Sequence, residues 1–373
     1  MKRKTGKKSL MAIYIVSAVL LAAVVLLTML VIVSPGKPAS CREMTSPGSI
    51  CEKVFVKIGG VEQGMFIRGK DEKNPVLLFV HGGPSFSEYF LVEKFSTGLE
   101  DHFTICYWEQ RGGGLSFTPE VTPGSLTLEQ LASDMKEVTE YLRGRFNKDK
   151  VYVLAHSGGT AFAIRTVADS PELFHAYIGI AQVTKQAESE KLAYRYMVDR
   201  YTSMHNRRML AKLSQYPVTG DDSFVLPFFN SVLRDKSMHE LGIGTMRNMT
   251  SIMSGVFYPV WLCRAYTLRE KFNIWYSKFK FVNKSGLRAQ IINLDLPEEL
   301  PALEVPAYFL SGRYDLTVNR DLSEEYLEKL VCPAKGFYTF ENSAHSPMFE
   351  EPGRFLEIMT KDVLNGTTTL ADS

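Results

Sequence analysis

Residues 151–160 read Val-Tyr-Val-Leu-Ala-His-Ser-Gly-Gly-Thr, and the order of residue types in this stretch decides how the chain is read. A β-branched, apolar run enters it. A pair of glycines and an Ala-rich helical pattern leave it. That is a strand, a tight turn and a helix, with the Ser157 hydroxyl carried on the turn. A serine so placed is pushed clear of the backbone and stands at a helix N-terminus, where partial positive charge favours an anion. The stretch follows Gly-x-Ser-x-Gly with Ala155 in the first place. A plain Ser-Gly-Gly loop is the alternative, and the rest of the chain decides between the two.

On both sides of this stretch strands and helices alternate. Residues 54–58 and 64–68 read as a hairpin around Gly59-Gly60. Residues 75–80 and 103–108 are continuous apolar runs, the signature of strands buried on both faces. Over 127–146 the period changes to helical: Leu128, Leu131, Met135, Val138 and Leu142 are spaced by three and four, and Thr127 with Gln130 predicts a capping box. A helix at 158–168 stops at Ser170-Pro171, and a strand follows at 176–181. The alternation breaks between about 185 and 297, a Met-, Arg- and aromatic-rich stretch that reads as helices. It resumes with strands at 306–310 and 336–340 and helices at 321–331 and 354–364. The predicted fold class is α/β, a mostly parallel sheet with helices on both faces. The late helical insertion is a cap over the carboxyl ends of the strands, where such sheets carry their sites.

Two further residues fall where a serine nucleophile needs them. Asp315 follows the strand at 306–310, and His345 follows the strand at 336–340. Both then lie in loops on the same sheet edge as Ser157. A hydroxyl is a weak nucleophile until a base takes its proton. Imidazole serves as that base, and a carboxylate fixes its tautomer and stabilises the cation that forms. His81-Gly82-Gly83-Pro84 leaves the strand at 75–80. The N–H groups of Gly83 and Gly158 are the candidates for an oxyanion hole. Water completes such a turnover, so this chemistry requires no metal and no cofactor, and no Cys/His spacing has the form of a metal site.

His81–Pro84, the run Trp108-Glu109-Gln110-Arg111-Gly112-Gly113-Gly114-Leu115-Ser116, and the order Ser157, Asp315, His345 together resemble the proline-iminopeptidase-like branch of the α/β-hydrolases. The resemblance covers residues 53–185 and 297–364. It implies the α/β-hydrolase fold, the Ser-Asp-His triad and the oxyanion hole at these positions. Three positions depart from the family pattern: Glu109 stands for Asp, Ser85 for the Gly after Pro84, and Gly158 for the frequent Trp. Aminopeptidases of this branch hold a free amino terminus with acidic residues, which makes Glu109, Glu188 and Glu190 the substrate-binding candidates. The insertion also carries Phe257, Tyr258, Trp261, Tyr266, Phe272, Trp275 and Tyr276, expected either as cap core or as a wall for an apolar acyl or prolyl-like group. The expected activity is cleavage of an amide or ester bond in a small molecule or short peptide. A carboxylesterase- or lipase-like enzyme is one alternative, and a hydrolase-fold binding module without catalysis is another.

The chain has 373 residues, 45% of them hydrophobic and 23% charged, ordinary values for a globular protein. Its formal charge of +2 is unevenly spread. Lys2, Arg3, Lys4, Lys7 and Lys8 form a basic tail, and without these five the 43 basic residues fall to 38 against 41 acidic ones. No nucleic-acid-binding surface is implied. Behind the tail, residues 10–33 carry no charge; as a helix they reach about 36 Å, enough to cross a hydrocarbon core of ~30 Å. The reading is a transmembrane signal anchor with its positive tail in the cytoplasm and the remainder outside. A cleaved signal peptide, lipidation at Cys41 and a buried core helix are the alternatives. The expected organisation is a tail at 1–9, the anchor at 10–33, a linker at 34–52, core at 53–185, cap at 186–296, core again at 297–364, and a tail at 365–373. Outside the cytoplasm Cys41 and Cys51 are able to pair. Cys106, in an apolar strand pattern, reads as a buried thiol. Oligomeric state leaves no mark in the sequence.

Overall fold

The structure, a computed structural model, describes residues 3–42 and 44–372. Residues 1 and 2 of the basic tail, Glu43 and Ser373 of the C-terminal tail lie outside the described residues. Eight strands form one sheet: β1 (Ile50–Ile58), β2 (Val61–Gly69), β3 (Val76–Val80), β4 (Thr104–Trp108), β5 (Val151–His156), β6 (Phe174–Ile180), β7 (Ala307–Gly312) and β8 (Lys335–Phe340). Their order is β1-β2-β4-β3-β5-β6-β7-β8. The β1–β2 hairpin and the β2–β4 pair are antiparallel, and every pair from β4 onward is parallel. β1 begins at Ile50, inside the segment expected as linker, because Cys51 pairs in register with Arg68.

The apolar runs of the central strands have the expected cause. Leu78 and Val80 of β3 enter one hydrophobic core, while Leu77 and Phe79 enter another on the opposite sheet face. The first core takes Leu131, Met135, Val138 and Leu142 from α3 (Leu128–Phe146) and Phe162 and Ile164 from α4 (Thr160–Asp169). The second takes Phe90 and Leu91 from α2 (Tyr89–Lys94) and Phe355 from the helix Pro352–Ile358. Truncating one of these fully buried side chains to alanine costs about 2–5 kcal/mol. Thr127 caps α3 by accepting from the N–H of Gln130 at 3.1 Å. The reciprocal half of the capping box does not form, because the Gln130 amide donates instead to Asp134 (2.9 Å).

Among the described residues between β6 and β7 lie helices and no strand: α5 (Gln186–Ser203), α6 (Arg207–Leu213), α7 (Val225–Phe229), α8 (Val232–Glu240), α9 (Tyr258–Leu262) and α10 (Leu268–Tyr276), followed by further short helices that include Leu287–Ile292. Tyr194, Met197, Phe228 and Met238 give this insertion a core of its own. Two π-helical turns, Met253–Phe257 and Ser277–Phe281, flank α9 and α10. At the N-terminus helix α1 spans Arg3–Ile32. Its Leu10–Ile32 portion is long and apolar enough to cross a membrane, and none of it is buried in the fold. Cys41 and Cys51 form a disulfide, and Cys106 is a buried thiol.

Candidate active site

β5 ends at His156, and Ser157 takes φ +53° on the turn into α4. A β-carbon in this left-handed region costs roughly 1–2 kcal/mol, so the surrounding backbone must hold the turn in place. The glycines make that possible. A Cβ on Gly82 would stand 2.7 Å from Ser157 Cβ, and one on Gly159 would stand 2.5 Å from the His81 carbonyl oxygen. The loop leaving β3 and the turn leaving β5 are therefore packed at backbone distance.

This packing brings three distant residues together. Ser157 Oγ lies 2.7 Å from His345 Nε2. His345 Nδ1 lies 2.8 Å from Asp315 Oδ2. Asp315 is buried, and its other carboxylate oxygen accepts from the N–H groups of Thr317 (2.8 Å) and Val318 (3.0 Å). An ionised carboxylate only accepts, so Nδ1 carries the imidazole proton and Nε2 is the acceptor for the serine hydroxyl. The loop bearing His345 is held from below by Glu350, which accepts from Ala344 N (2.8 Å) and Arg247 N (2.6 Å). Burial pushes the Glu350 carboxyl up to about 7. Gly83, at φ +108°, lies beside Gly158; the Cβ position of Gly158 is 3.5 Å from Gly83 N. The two N–H groups proposed for an oxyanion thus belong to adjoining residues next to Ser157.

Two functional neighbours escaped the sequence reading. His156 Nδ1 lies 2.9 Å from both carboxylate oxygens of Glu88, and its Nε2 lies 2.8 Å from the carbonyl oxygen of His345. The carbonyl only accepts, so Nε2 donates to it, and an ionised Glu88 takes the Nδ1–H, an arrangement that favours the charged ring. Burial alone would raise the Glu88 carboxyl, but the facing His156 outweighs it and holds the group below its ordinary value. Burial likewise opposes charge on His156, and Glu88 outweighs it in the raising direction. The available signal was a single acid, Glu88, inside the otherwise uncharged run 86–92.

The three acidic substrate candidates do not meet the site. Glu109 is buried under the cap, accepting from Leu115 N (2.7 Å) and from the Tyr266 hydroxyl; burial pushes its carboxyl up to about 7. Glu190 is spent on Arg234, whose Nε and Nη2 reach it at 2.8 and 2.5 Å. Glu188 lies on the outer side of α5 with Arg195 (3.3 Å). The cavity over Ser157, about 290 Å³, is lined instead by Glu88, Asp235, Lys278 and Arg288 among apolar groups that include Phe86, Phe90 and Phe279. None of the seven aromatics named from the insertion lines it. Tyr266 is core, while Tyr258, Phe272 and Tyr276 are exposed. Among the described residues, no three His, Cys, Asp or Glu side chains are grouped to hold a metal ion.

A family model described as the alpha/beta hydrolase fold matches residues 75–352. The chain belongs to the α/β-hydrolases. This hydrolase is similar to the Bacillus subtilis protein named "Probable aminopeptidase YbaC", with 30% identity over 306 residues, 82% of this chain and 94% of that protein. It shares 24% identity with a proline iminopeptidase of Saccharolobus solfataricus, over 77% of this chain and 84% of the other. Among solved structures, a membrane phospholipase A described as a bacterial virulence factor superposes with a TM-score of 0.57 at 18% identity. That match covers 96% of this hydrolase and 98% of the other chain, a likeness of fold.

Proposed function

We propose that this hydrolase is a membrane-anchored serine enzyme that cleaves an amide or ester bond. The observation that carries the reading is the unbroken hydrogen-bonded chain from Ser157 Oγ through His345 to Asp315. In the first half-reaction Ser157 Oγ attacks the carbonyl carbon while its proton passes to His345 Nε2. The carbonyl π pair moves onto oxygen, and the N–H groups of Gly83 and Gly158 hold that oxyanion. When the tetrahedral intermediate collapses, the bond to the amine or alcohol breaks and the His345 proton goes to the leaving group. Water then attacks the acyl-serine, with the same histidine as base and then acid, and releases the carboxylic acid and Ser157. Asp315 keeps the proton on Nδ1 and stabilises the imidazolium at each transfer.

The substrate reading favoured by the relatives' names is an aminopeptidase, with the cavity-lining Asp235 carboxylate, one oxygen of which is held by Arg234 Nη1 (3.2 Å), as the group that meets a free amino terminus. A second reading, hydrolysis of an acyl ester, is favoured by the other lining groups: Phe86, Phe90 and Phe279 form an apolar wall, and Glu109, Glu188 and Glu190 all face elsewhere. The anchor reading is supported by the exposed apolar helix Leu10–Ile32 behind its basic tail. The Cys41–Cys51 bond suits an oxidising compartment outside the cytoplasm. Paired aminoacyl-amide and acyl-ester reporters test the choice of bond. Faster turnover of the amide, lost when its amino group is acetylated, supports the peptidase; equal turnover of the acetylated amide excludes it.

A further inference from the structure

Among the described residues outside the N-terminal helix, ten large apolar side chains are exposed, and six of them fall within 253–279: Met253, Tyr258, Leu262, Phe272, Tyr276 and Phe279. The spacing 258 to 262 and 272 to 276 puts them on single faces of α9 and α10. Residues 253–284 also carry six Lys or Arg against one acid, Glu270, which is already paired with Lys53 at 2.6 Å. Arg269, Lys280 and Lys284 of this set are exposed.

The same segment holds the end of the N-terminal helix. The ammonium of Lys271 donates to Val33 O (3.1 Å), Ser34 Oγ (2.9 Å) and Trp261 O (2.7 Å). Lys37 N donates to Arg264 O at 3.0 Å, and Pro35 bridges to Thr267. The apolar helix therefore ends one residue before the chain is bolted to the cap. If that helix crosses a bilayer, the exposed aromatic and basic face cannot stand far from the headgroups. Aromatic rings lead inward from it. Phe272 meets Trp261 (5.1 Å between centroids), Trp261 meets Phe257 (6.1 Å), and Phe257 meets Trp275 (5.3 Å). Trp275 stacks on Phe279 (5.7 Å) and touches Phe86 (6.0 Å). Phe279 and Phe86 line the cavity over Ser157.

We propose that residues 253–284 form an interfacial docking surface that lies in the headgroup region of the anionic bilayer crossed by the N-terminal helix, and that the substrate is an amphiphile entering from that bilayer. The proposal rests on the anchor reading. Aromatic rings with Lys and Arg are the composition that sits at this depth, with apolar groups buried about 5–10 Å. Exposed apolar area that would be a liability in water is there removed from it.

Tryptophan fluorescence tests this without any assay of activity. The chain has three tryptophans and none in the N-terminal helix. Trp108 is fully buried on β4, so the full-length Trp275→Phe variant reports on Trp261. The variant is reconstituted into vesicles of phosphatidylcholine and phosphatidylglycerol with lipids brominated near the headgroup. Co-flotation with quenching of the Trp261 emission by about half is the expected result for a half-buried indole at the interface. Flotation with unchanged emission would overturn docking and leave the anchor standing. Failure to float would overturn both. In the second arm, Leu262→Ser with Phe272→Ser should lower hydrolysis of a long-chain ester in those vesicles about tenfold while a short soluble ester is cleaved as before. Equal rates on the vesicle ester would overturn the delivery route.

Discussion

The imidazole of His156 holds the backbone of His345: its Nε2 lies 2.8 Å from the His345 carbonyl oxygen while Glu88 grips Nδ1. The residue before the serine thus positions the loop of the base. The charged pair has a defined pH window. The raised His156 contributes fully below the ordinary histidine value, and its contribution is lost as pH rises through the raised value. The lowered Glu88 contributes above the ordinary carboxylate value, and its contribution is lost as pH falls through the depressed one. Glu88→Gln should lower the charge on His156 and weaken its Nε2–H donation to the His345 carbonyl, which is charge-assisted only in the imidazolium. A fall in kcat of about tenfold is expected, the size of a charge-assisted hydrogen bond near 1.5 kcal/mol, with KM little changed. The loss should deepen as pH rises past the ordinary histidine value, where the raised His156 of the parent still holds its charge, and a kcat–pH profile of both proteins checks this.

Asp315→Asn should keep the fold and lose the tautomer. Asparagine offers an N–H to Nδ1, which places the imidazole proton on Nε2 and blocks its use as a base. A fall in kcat of roughly 10³–10⁴-fold is expected, with thermal unfolding close to that of the parent.

Glu109 predicts a stability effect distinct from catalysis. Its carboxyl is pushed up to about 7 by burial, so between the unfolded value and 7 the folded state holds a proton that the unfolded state has released. Stability then falls as pH rises across that window. Glu109→Gln removes this dependence. The variant should gain on the parent by up to about 1.4 kcal/mol per pH unit from about 5 to about 7, measured as the difference in denaturant unfolding free energy.

Asp235→Asn tests the aminopeptidase reading. Losing one charge-assisted bond to an ammonium should raise KM for a free-amine amide about tenfold or more and leave an acyl ester unaffected. Equal changes on both reporters would remove Asp235 from amine recognition.

Much of this architecture was legible because it rests on local rules. Strands buried on both faces read as apolar runs, and the period of Leu128 to Leu142 shows the face that α3 buries. The order of Ser157, Asp315 and His345 told which loops must meet, since parallel strands send their carboxyl ends to one edge. Charge partners were not legible. Glu190 looks like a free acid until Arg234, 44 residues later, folds onto it. Glu109 looks like a pocket acid until Tyr266 covers it. The aromatics of 257–276 carry the composition of a core, and only the fold shows Tyr258, Phe272 and Tyr276 facing outward.

The most direct test of the account is where a fluorophosphonate probe bonds to the full-length protein. The account predicts one adduct, on Ser157 by peptide mass spectrometry, and none in a folded Ser157→Ala variant that has also lost turnover. No adduct on the parent, or equal labelling of Ser157→Ala, would contradict it.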